Sequence, residues 1–123
     1  MATKACLGLA LGLVLSFGGA VMAVAADTET GLAAVYSDKL NGHTTASKER
    51  FDQKKLTAAH PSHPYGTRLR VTNLSNKRSV VVRINDRGPT QAGRILDLSR
   101  AAASKIGIGP RSMAKVEAVP LGK

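Results

Sequence analysis

The sequence has little cysteine and few aromatic side chains: one cysteine, no tryptophan, two tyrosines and two phenylalanines in 123 residues. The cysteine is Cys6, inside a segment that we expect to be removed, so the rest of the chain offers no disulfide, thiol nucleophile or thiolate metal site. Acidic residues are also scarce, with 8 against 18 Lys and Arg. This length fits one small domain and excludes a multidomain enzyme.

The first 26 residues have the pattern of a cleavable export signal. Lys4 precedes an apolar run over residues 7–24, and the small residues of Ala23-Val-Ala25 come just before the polar chain begins. A transmembrane anchor is the alternative, but the glycines and the Ala-x-Ala site favour cleavage. No apolar segment precedes Cys6, so we expect no lipid there. We therefore predict a mature chain from Ala26 or Asp27, secreted or periplasmic, without a stable membrane anchor.

Cleavage would remove one lysine and no acid, leaving 17 basic and 8 acidic side chains and a net charge of +9. Such a charge suits an anionic partner: a cell-wall polymer, a nucleic acid or a membrane surface. Plain solubility is the simpler explanation. A nucleic-acid binder is disfavoured because three aromatic side chains after residue 26 cannot form an interleaved stacking surface.

Short alternating strands dominate the predicted secondary structure of residues 27–123, which we take as one domain. Strands are predicted at residues 31–37, 67–73, 78–85, 94–98 and 113–119, with a short apolar run at 56–59. The second and third form a hairpin. Ser99 is expected to cap one short helix that starts at Arg100 and ends before Gly107. About six strands and one helix predict a small closed barrel, because nothing else could cover the strand edges.

Carboxylates are the groups on which glycan-cleaving sites commonly depend. Half of the eight are expected to be solvated: Asp27, Glu29, Asp38 and Glu117. The remaining candidates are Glu49, Asp52, Asp86 and Asp97. Asp86 ends a β-branched strand and enters Arg87-Gly-Pro89, where loops on a rigid sheet often carry chemistry, although a turn aspartate bonded to its own backbone has the same pattern.

Glu49 and His60 each have a simple structural explanation. Glu49 lies between two basic residues in a polar loop, as a solvated charge would, and His60 follows an apolar run, as a structural histidine does. His43, His60 and His63 lack the close spacing of a metal site, so no metal and no cofactor are expected.

Ordered motifs over nearly the whole of residues 27–123 resemble the rare lipoprotein A (RlpA) family. They are Gly31-Leu-Ala-x-x-Tyr36, Thr45-Ala-x-x-Glu-Arg-Phe-Asp52, Leu56-Thr-Ala-Ala-His60, Pro64-Tyr-Gly-Thr67, Val71-Thr-Asn73, Val81-Val-Arg-Ile-Asn-Asp-Arg-Gly-Pro89 and Arg94-Ile-Leu-Asp-Leu-Ser99. The resemblance implies a mainly β fold, a six-stranded double-psi β-barrel with one short helix. It also implies a periplasmic lytic transglycosylase of peptidoglycan that prefers glycan strands without stem peptides.

The resemblance places the family's catalytic residues on Glu49, His60 and Asp86. Asp86 would act as acid and then base, Glu49 would be the second carboxylate, and His60 would orient or share the proton. Substrate-binding roles are expected at four further positions: Tyr36, Thr45, Arg87 and Asp97. Of these, Asp97 is expected to hold the helix entry or the site loop. The implied partners are peptidoglycan strands, together with cell-division or wall-remodelling proteins, and no nucleic acid.

Two motifs depart from the family pattern. Val35-Tyr36-Ser37 stands where relatives usually have Trp-Tyr-Gly, and Ala46-Ser-Lys-Glu49 where they have Ala-Asn-Gly-Glu. The lost tryptophan removes an aromatic that could stack on sugar, so glycan affinity is expected to depend on polar contacts and charge. A non-catalytic, expansin-like wall-binding module is therefore the alternative function.

Overall fold

The computed structural model describes residues 27–123, and its main elements are six β-strands. The strands are β1 (Glu29–Val35), β2 (Thr57–Ala59), β3 (Arg68–Asn73), β4 (Ser79–Asp86), β5 (Arg94–Leu98) and β6 (Met113–Gly122). One α-helix, α1, covers Arg100–Lys105, and a 3₁₀ turn covers Asp38–Leu40. The predicted export signal lies outside the described residues. Within those residues, no helix is long and apolar enough to cross a membrane.

The strands close into a barrel in the order β1-β5-β2-β4-β3-β6. Two neighbouring pairs, β1 with β5 and β2 with β4, are parallel, and the other pairs are antiparallel. In residues 27–123 each strand therefore has a neighbour on both sides, as expected of a closed barrel. The predicted six-stranded barrel with one short helix is confirmed.

Alternating side chains fill the barrel interior. On β3, Leu69 and Val71 are buried while Arg68 and Arg70 are exposed, and β3 forms the predicted antiparallel hairpin with β4. Ser99 caps α1 by accepting a hydrogen bond from the amide of Ala102. The apolar side of the helix packs into the same core through residues that are all buried: Leu98, Ala102, Ala103 and Ile106.

The first and last strands are longer than predicted. β6 continues to Gly122 because it pairs with β1 along one edge and with β3 along the other, where Arg68 is opposite Gly122. β1 begins at Glu29, opposite Ala118, and not at residue 31. The description of Glu29 as a solvated residue of the chain start is therefore wrong, because its half-exposed carboxylate binds a histidine described below.

Candidate active site

The short strand β2 brings two aspartates together at one end of the barrel. Ala59, its last residue, pairs with Asp86 on β4 and with Asp97 on β5. Asp97 also pairs with Ala34 on β1, and Tyr36 follows directly after that strand, with its amide donating to the carbonyl of Leu98. Residues that are far apart in the sequence therefore meet where four strands end or turn, a usual place for chemistry on a rigid sheet.

Three hydrogen-bond donors surround the carboxylate of Asp86. The hydroxyl of Tyr36 donates to Oδ2 at 2.6 Å, and the amides of Ala46 and Arg87 each donate to Oδ1 at 2.9 Å. Together the three donors reach both oxygens of the carboxyl group. The two neighbouring guanidinium groups, of Arg83 and Arg87, make their hydrogen bonds elsewhere. Asp86 is thus held in one orientation by uncharged donors.

Tyr36 is fixed from behind by Phe51. Their rings are stacked with centroids 4.2 Å apart and planes 19° from parallel, and Phe51 is almost fully buried. Burial, and then the hydrogen bond to Asp86, raise the pKa of the Tyr36 phenol above its ordinary value, so the hydroxyl keeps its proton and donates. Tyr36 therefore orients Asp86 through its hydroxyl, and its predicted role in substrate binding stays a prediction.

A tight turn over residues 45–49 brings Glu49 towards the same place. The amide and the hydroxyl of Thr45 both donate to the carbonyl of Glu49, at 2.7 and 3.0 Å, while the next amide, of Ala46, binds Asp86. Thr45 is buried. Predicted as a substrate-binding residue, it shapes the turn that joins Glu49 to the Asp86 carboxylate.

Glu49 is paired with Arg83, which lies on β4 three positions before Asp86. Both carboxylate oxygens accept from the guanidinium in a bidentate geometry, one of them at 2.9 Å. The guanidinium lowers the pKa of Glu49 and the carboxylate raises that of Arg83. Glu49 therefore stays ionised at neutral pH, which fits a fixed negative charge better than a proton donor.

The backbone of this turn explains one departure from the family pattern. Lys48 has φ 77°, a left-handed conformation that favours glycine. Relatives have glycine at this position according to the resemblance described above, whereas this chain has a lysine beside Glu49. The turn keeps its shape at the cost of local backbone strain.

Replacing Lys48 by glycine is expected to stabilise the protein by about 0.5–1 kcal/mol, because the strain removed slightly exceeds the extra entropy of the unfolded chain. Urea unfolding measures this difference. Lys54→Gly is the matched control, since Lys54 is an exposed loop lysine whose φ is not positive. That variant should lose stability. A Lys48→Gly protein no more stable than its parent would refute the strain at this turn.

His60 is buried and uses both ring nitrogens within the protein. Nδ1 accepts from the amides of Ser62 and His63, each at 3.0 Å, so Nε2 carries the hydrogen that is donated to Glu29 at 2.7 Å. Burial lowers the pKa of His60 although Glu29 opposes this effect. The backbone amide of His60 donates to the carbonyl of Asp86. This geometry allows His60 to hold the ends of β2 and β4 together.

Glu29, His60 and His63 have donor atoms within 4.8 Å of one another, the one such group in residues 27–123. A metal on Nε2 of His60 would need the hydrogen moved to Nδ1, where two amides already donate. The residues therefore fit a hydrogen-bonded glutamate–histidine pair better than a metal centre. Sequence reasoning missed Glu29, and no local pattern marks it, since the partners are 31 positions apart.

The other two predicted substrate-binding residues lie beside these groups. Arg87 donates to the carbonyl of His60 at 3.2 Å, and its guanidinium carbon is 4.2 Å from the centroid of the Tyr65 ring. Asp97 accepts from Arg94 at 2.6 Å. A surface pocket adjoins the cluster, and Tyr36 is in its wall together with several basic side chains: Lys39, Arg100 and Arg111. Asp86, Glu49 and His60 do not line this pocket, so it flanks the cluster.

Comparison with known families assigns the chain. Residues 28–118 match the family described as lytic transglycolase. The chain belongs to this family. Its relatives include the endolytic peptidoglycan transglycosylase RlpA of Yersinia pestis, 49% identical over 90 residues, which are 73% of this chain and 25% of that protein. A probable RlpA of Synechocystis is 58% identical over 78 residues, 63% of this chain and 24% of the relative. The chain thus spans about a quarter of each relative.

Solved structures support the same fold. An expansin of Clavibacter michiganensis has a TM-score of 0.60 and 26% identity over 76% of this chain and 50% of the expansin. A mutant of that expansin, solved in complex with cellohexaose, aligns with a TM-score of 0.60 over the same shares at 25% identity. A Streptomyces papain inhibitor, at 23% identity and a TM-score of 0.56, covers 73% of this chain and 91% of its own and shows the fold alone. The barrel is the predicted double-psi β-barrel.

Proposed function

We propose that this protein is a lytic transglycosylase that cleaves peptidoglycan between N-acetylmuramic acid and N-acetylglucosamine. The observation that carries the proposal is the Asp86 carboxyl group, held by three donors at a strand end and linked to the ionised Glu49 through the turn over residues 45–49. Relatives named as endolytic peptidoglycan transglycosylases support the substrate class. A net charge of +9 after residue 26 favours an anionic polymer over a neutral one.

Asp86 is the proposed acid and base. In its protonated form it gives a proton to the glycosidic oxygen, and the bond from that oxygen to the muramoyl anomeric carbon breaks. The 6-hydroxyl of the same sugar then attacks the anomeric carbon, and Asp86 takes the proton that this hydroxyl loses. A 1,6-anhydro ring forms, the proton is returned, and no water is consumed.

The surrounding residues assist this reaction without exchanging protons. Glu49, kept ionised by Arg83, stabilises the positive charge that develops at the anomeric carbon. Tyr36 orients Asp86, and Thr45 forms the turn that delivers Glu49. His60 holds the strand end that carries Asp86, through its pair with Glu29, while Asp97 supports the loop after Asp86. In this proposal Asp86 and Glu49 act on the sugar. The positioning residues are Tyr36, Thr45, His60 and Asp97.

The pattern of residues 1–26 and the proposed substrate together support a place of action. Residues 1–26 direct export by the pattern described above, so the proposed location is the periplasm or the medium, next to the wall polymer. The proposed partners are glycan strands, with wall-remodelling or division proteins as further candidates.

Product analysis tests the proposed reaction. Purified peptidoglycan without stem peptides is incubated with the exported protein, and the masses of the released saccharides are measured by mass spectrometry. We expect chains that end in 1,6-anhydromuramic acid, 18 Da lighter than hydrolysis products because water is not added. New reducing ends on the released saccharides would indicate a hydrolase. Either that result or the absence of released saccharides would contradict the proposal.

A non-catalytic wall-binding module is the second candidate. Similarity to an expansin favours it, and so does the valine at position 35, where relatives have an aromatic. It predicts binding to the same glycan with no released product. The hydrogen-bonded Asp86 favours the enzyme, since a binding surface has no need for a carboxylate oriented by three donors.

A further inference from the structure

Tyr65 is the exposed aromatic side chain of residues 27–123. The other two aromatic residues, Tyr36 and Phe51, stack on each other, and the Tyr36 hydroxyl is bonded to Asp86. Tyr65 keeps 37% of its surface exposed although a guanidinium group covers one face of its ring. A flat, half-covered ring on the surface is the kind of group on which a sugar ring stacks.

The Tyr65 ring is held in place by a contact on one face and by the turn that carries it. The guanidinium carbon of Arg87 lies 4.2 Å from its centroid, a cation–π contact, and the same guanidinium donates to the carbonyl of His60. Tyr65 lies in a turn closed by the amide of Thr67 on the carbonyl of Pro64, and Gly66 donates to the carbonyl of Ile84 on β4. Such preorganisation reduces the entropy lost when a ligand binds.

The Tyr65 ring is also connected to Asp86, the proposed reacting group. The backbone amide of Arg87 donates to Asp86, while its side chain lies against Tyr65, so one arginine links the carboxylate to the ring. A polysaccharide positioned for cleavage at Asp86 would therefore extend over Tyr65 or past it.

We infer that Tyr65 stacks on a sugar ring of the bound glycan and that Arg87 fixes its orientation. This inference rests on the proposed function and adds a sugar-binding position to it. The sequence predicts that glycan affinity depends on polar contacts and charge, because the valine at position 35 cannot stack on a sugar. Tyr65 supplies an aromatic contact in addition to these. The ligand is a pyranose ring of the wall glycan adjacent to the bond that is cleaved.

Binding measurements test this inference without requiring turnover. Soluble glycan strands prepared from peptidoglycan without stem peptides are titrated calorimetrically against the exported protein in the Asp86→Asn background, so that the ligand is not consumed. Tyr65→Ala and Tyr65→Leu should each weaken binding about 5- to 10-fold, because both remove the flat ring. Tyr65→Phe should restore the binding that these variants lose, since stacking needs the ring and not the hydroxyl.

Val81→Ala is the matched control, an exposed apolar residue on β4 at 39% exposure, and should bind like its parent. Tyr65→Leu binding as tightly as Tyr65→Phe would overturn the inference, since apolar bulk would then suffice. Equal binding by Tyr65→Ala would overturn it as well. If the protein with Asp86 intact releases no anhydro product but binding still depends on the ring, the proposed reaction fails and the sugar position stands.

Discussion

Asp86→Asn is expected to abolish release of anhydro product, with a loss of about 10²- to 10⁴-fold in turnover, while glycan binding persists. The amide has nearly the size of the carboxyl group but cannot exchange a proton. Its oxygen can still accept from the amides of Ala46 and Arg87, and its nitrogen can donate to the Tyr36 hydroxyl. The folded structure should therefore be retained, with about 1 kcal/mol or less lost in stability.

Asp52→Asn is the matched control for this variant. Asp52 also accepts a backbone hydrogen bond in a turn, from the amide of Lys54 at 2.9 Å, and has no place in the candidate site. It should retain activity. Thermal melting and mass spectrometry of products are measured on both variants. An Asp86→Asn protein that melts like its parent and still cleaves at a comparable rate would show that Asp86 is not the acid and base.

Much of the barrel could be predicted from local sequence. Alternation of Leu69 and Val71 with exposed arginines indicates one buried face of β3, and Ser99 followed by Ala102 indicates a capped helix, because both signals depend on near neighbours. The position of Asp86 at the end of a β-branched strand was visible in the same way. These features need no knowledge of how the barrel closes.

The contacts that orient the site could not be predicted in this way. The hydroxyl of Tyr36 and the carboxylate of Asp86 are 50 positions apart, and they meet because β2 is inserted between β4 and β5 with parallel pairing to β4. Alternation shows which face a residue occupies and not which distant strand lies beside it. For the same reason the local sequence predicts a solvated Glu29, although its carboxylate is the partner of His60.

The resemblance to the RlpA family assigns Glu49, His60 and Asp86 to one site. In the structure each of the three has a different kind of hydrogen-bond partner. Asp86 meets uncharged donors, Glu49 meets a guanidinium, and His60 meets a carboxylate. Two carboxyl groups in different environments are the usual basis for dividing acid–base and charge-stabilising roles. The proposed division follows from these partners, since of the two carboxylates only Asp86 is free of a direct ion pair.

Glu49→Gln is expected to lower turnover about 10²- to 10³-fold, because a neutral amide cannot stabilise positive charge at the anomeric carbon. Since Arg83 lowers the pKa of Glu49, the carboxylate remains ionised at neutral and mildly acidic pH. Its contribution to stability is fully present above the ordinary pKa of a glutamate and is lost as pH falls through the lowered value. Activity that depends on Glu49 should therefore persist to lower pH than an ordinary glutamate would allow.

Glu117→Gln is the matched control, since Glu117 is a half-buried glutamate on β6 with no partner in the site, and it should leave turnover unchanged. In the double variant with Asp86→Asn, the two losses should not multiply, because residues that act on one transition state are not additive. Rates are measured by anhydro product against pH for all variants. Full activity in a folded Glu49→Gln protein would remove Glu49 from the mechanism and leave its pair with Arg83 as a support for the turn over residues 45–49.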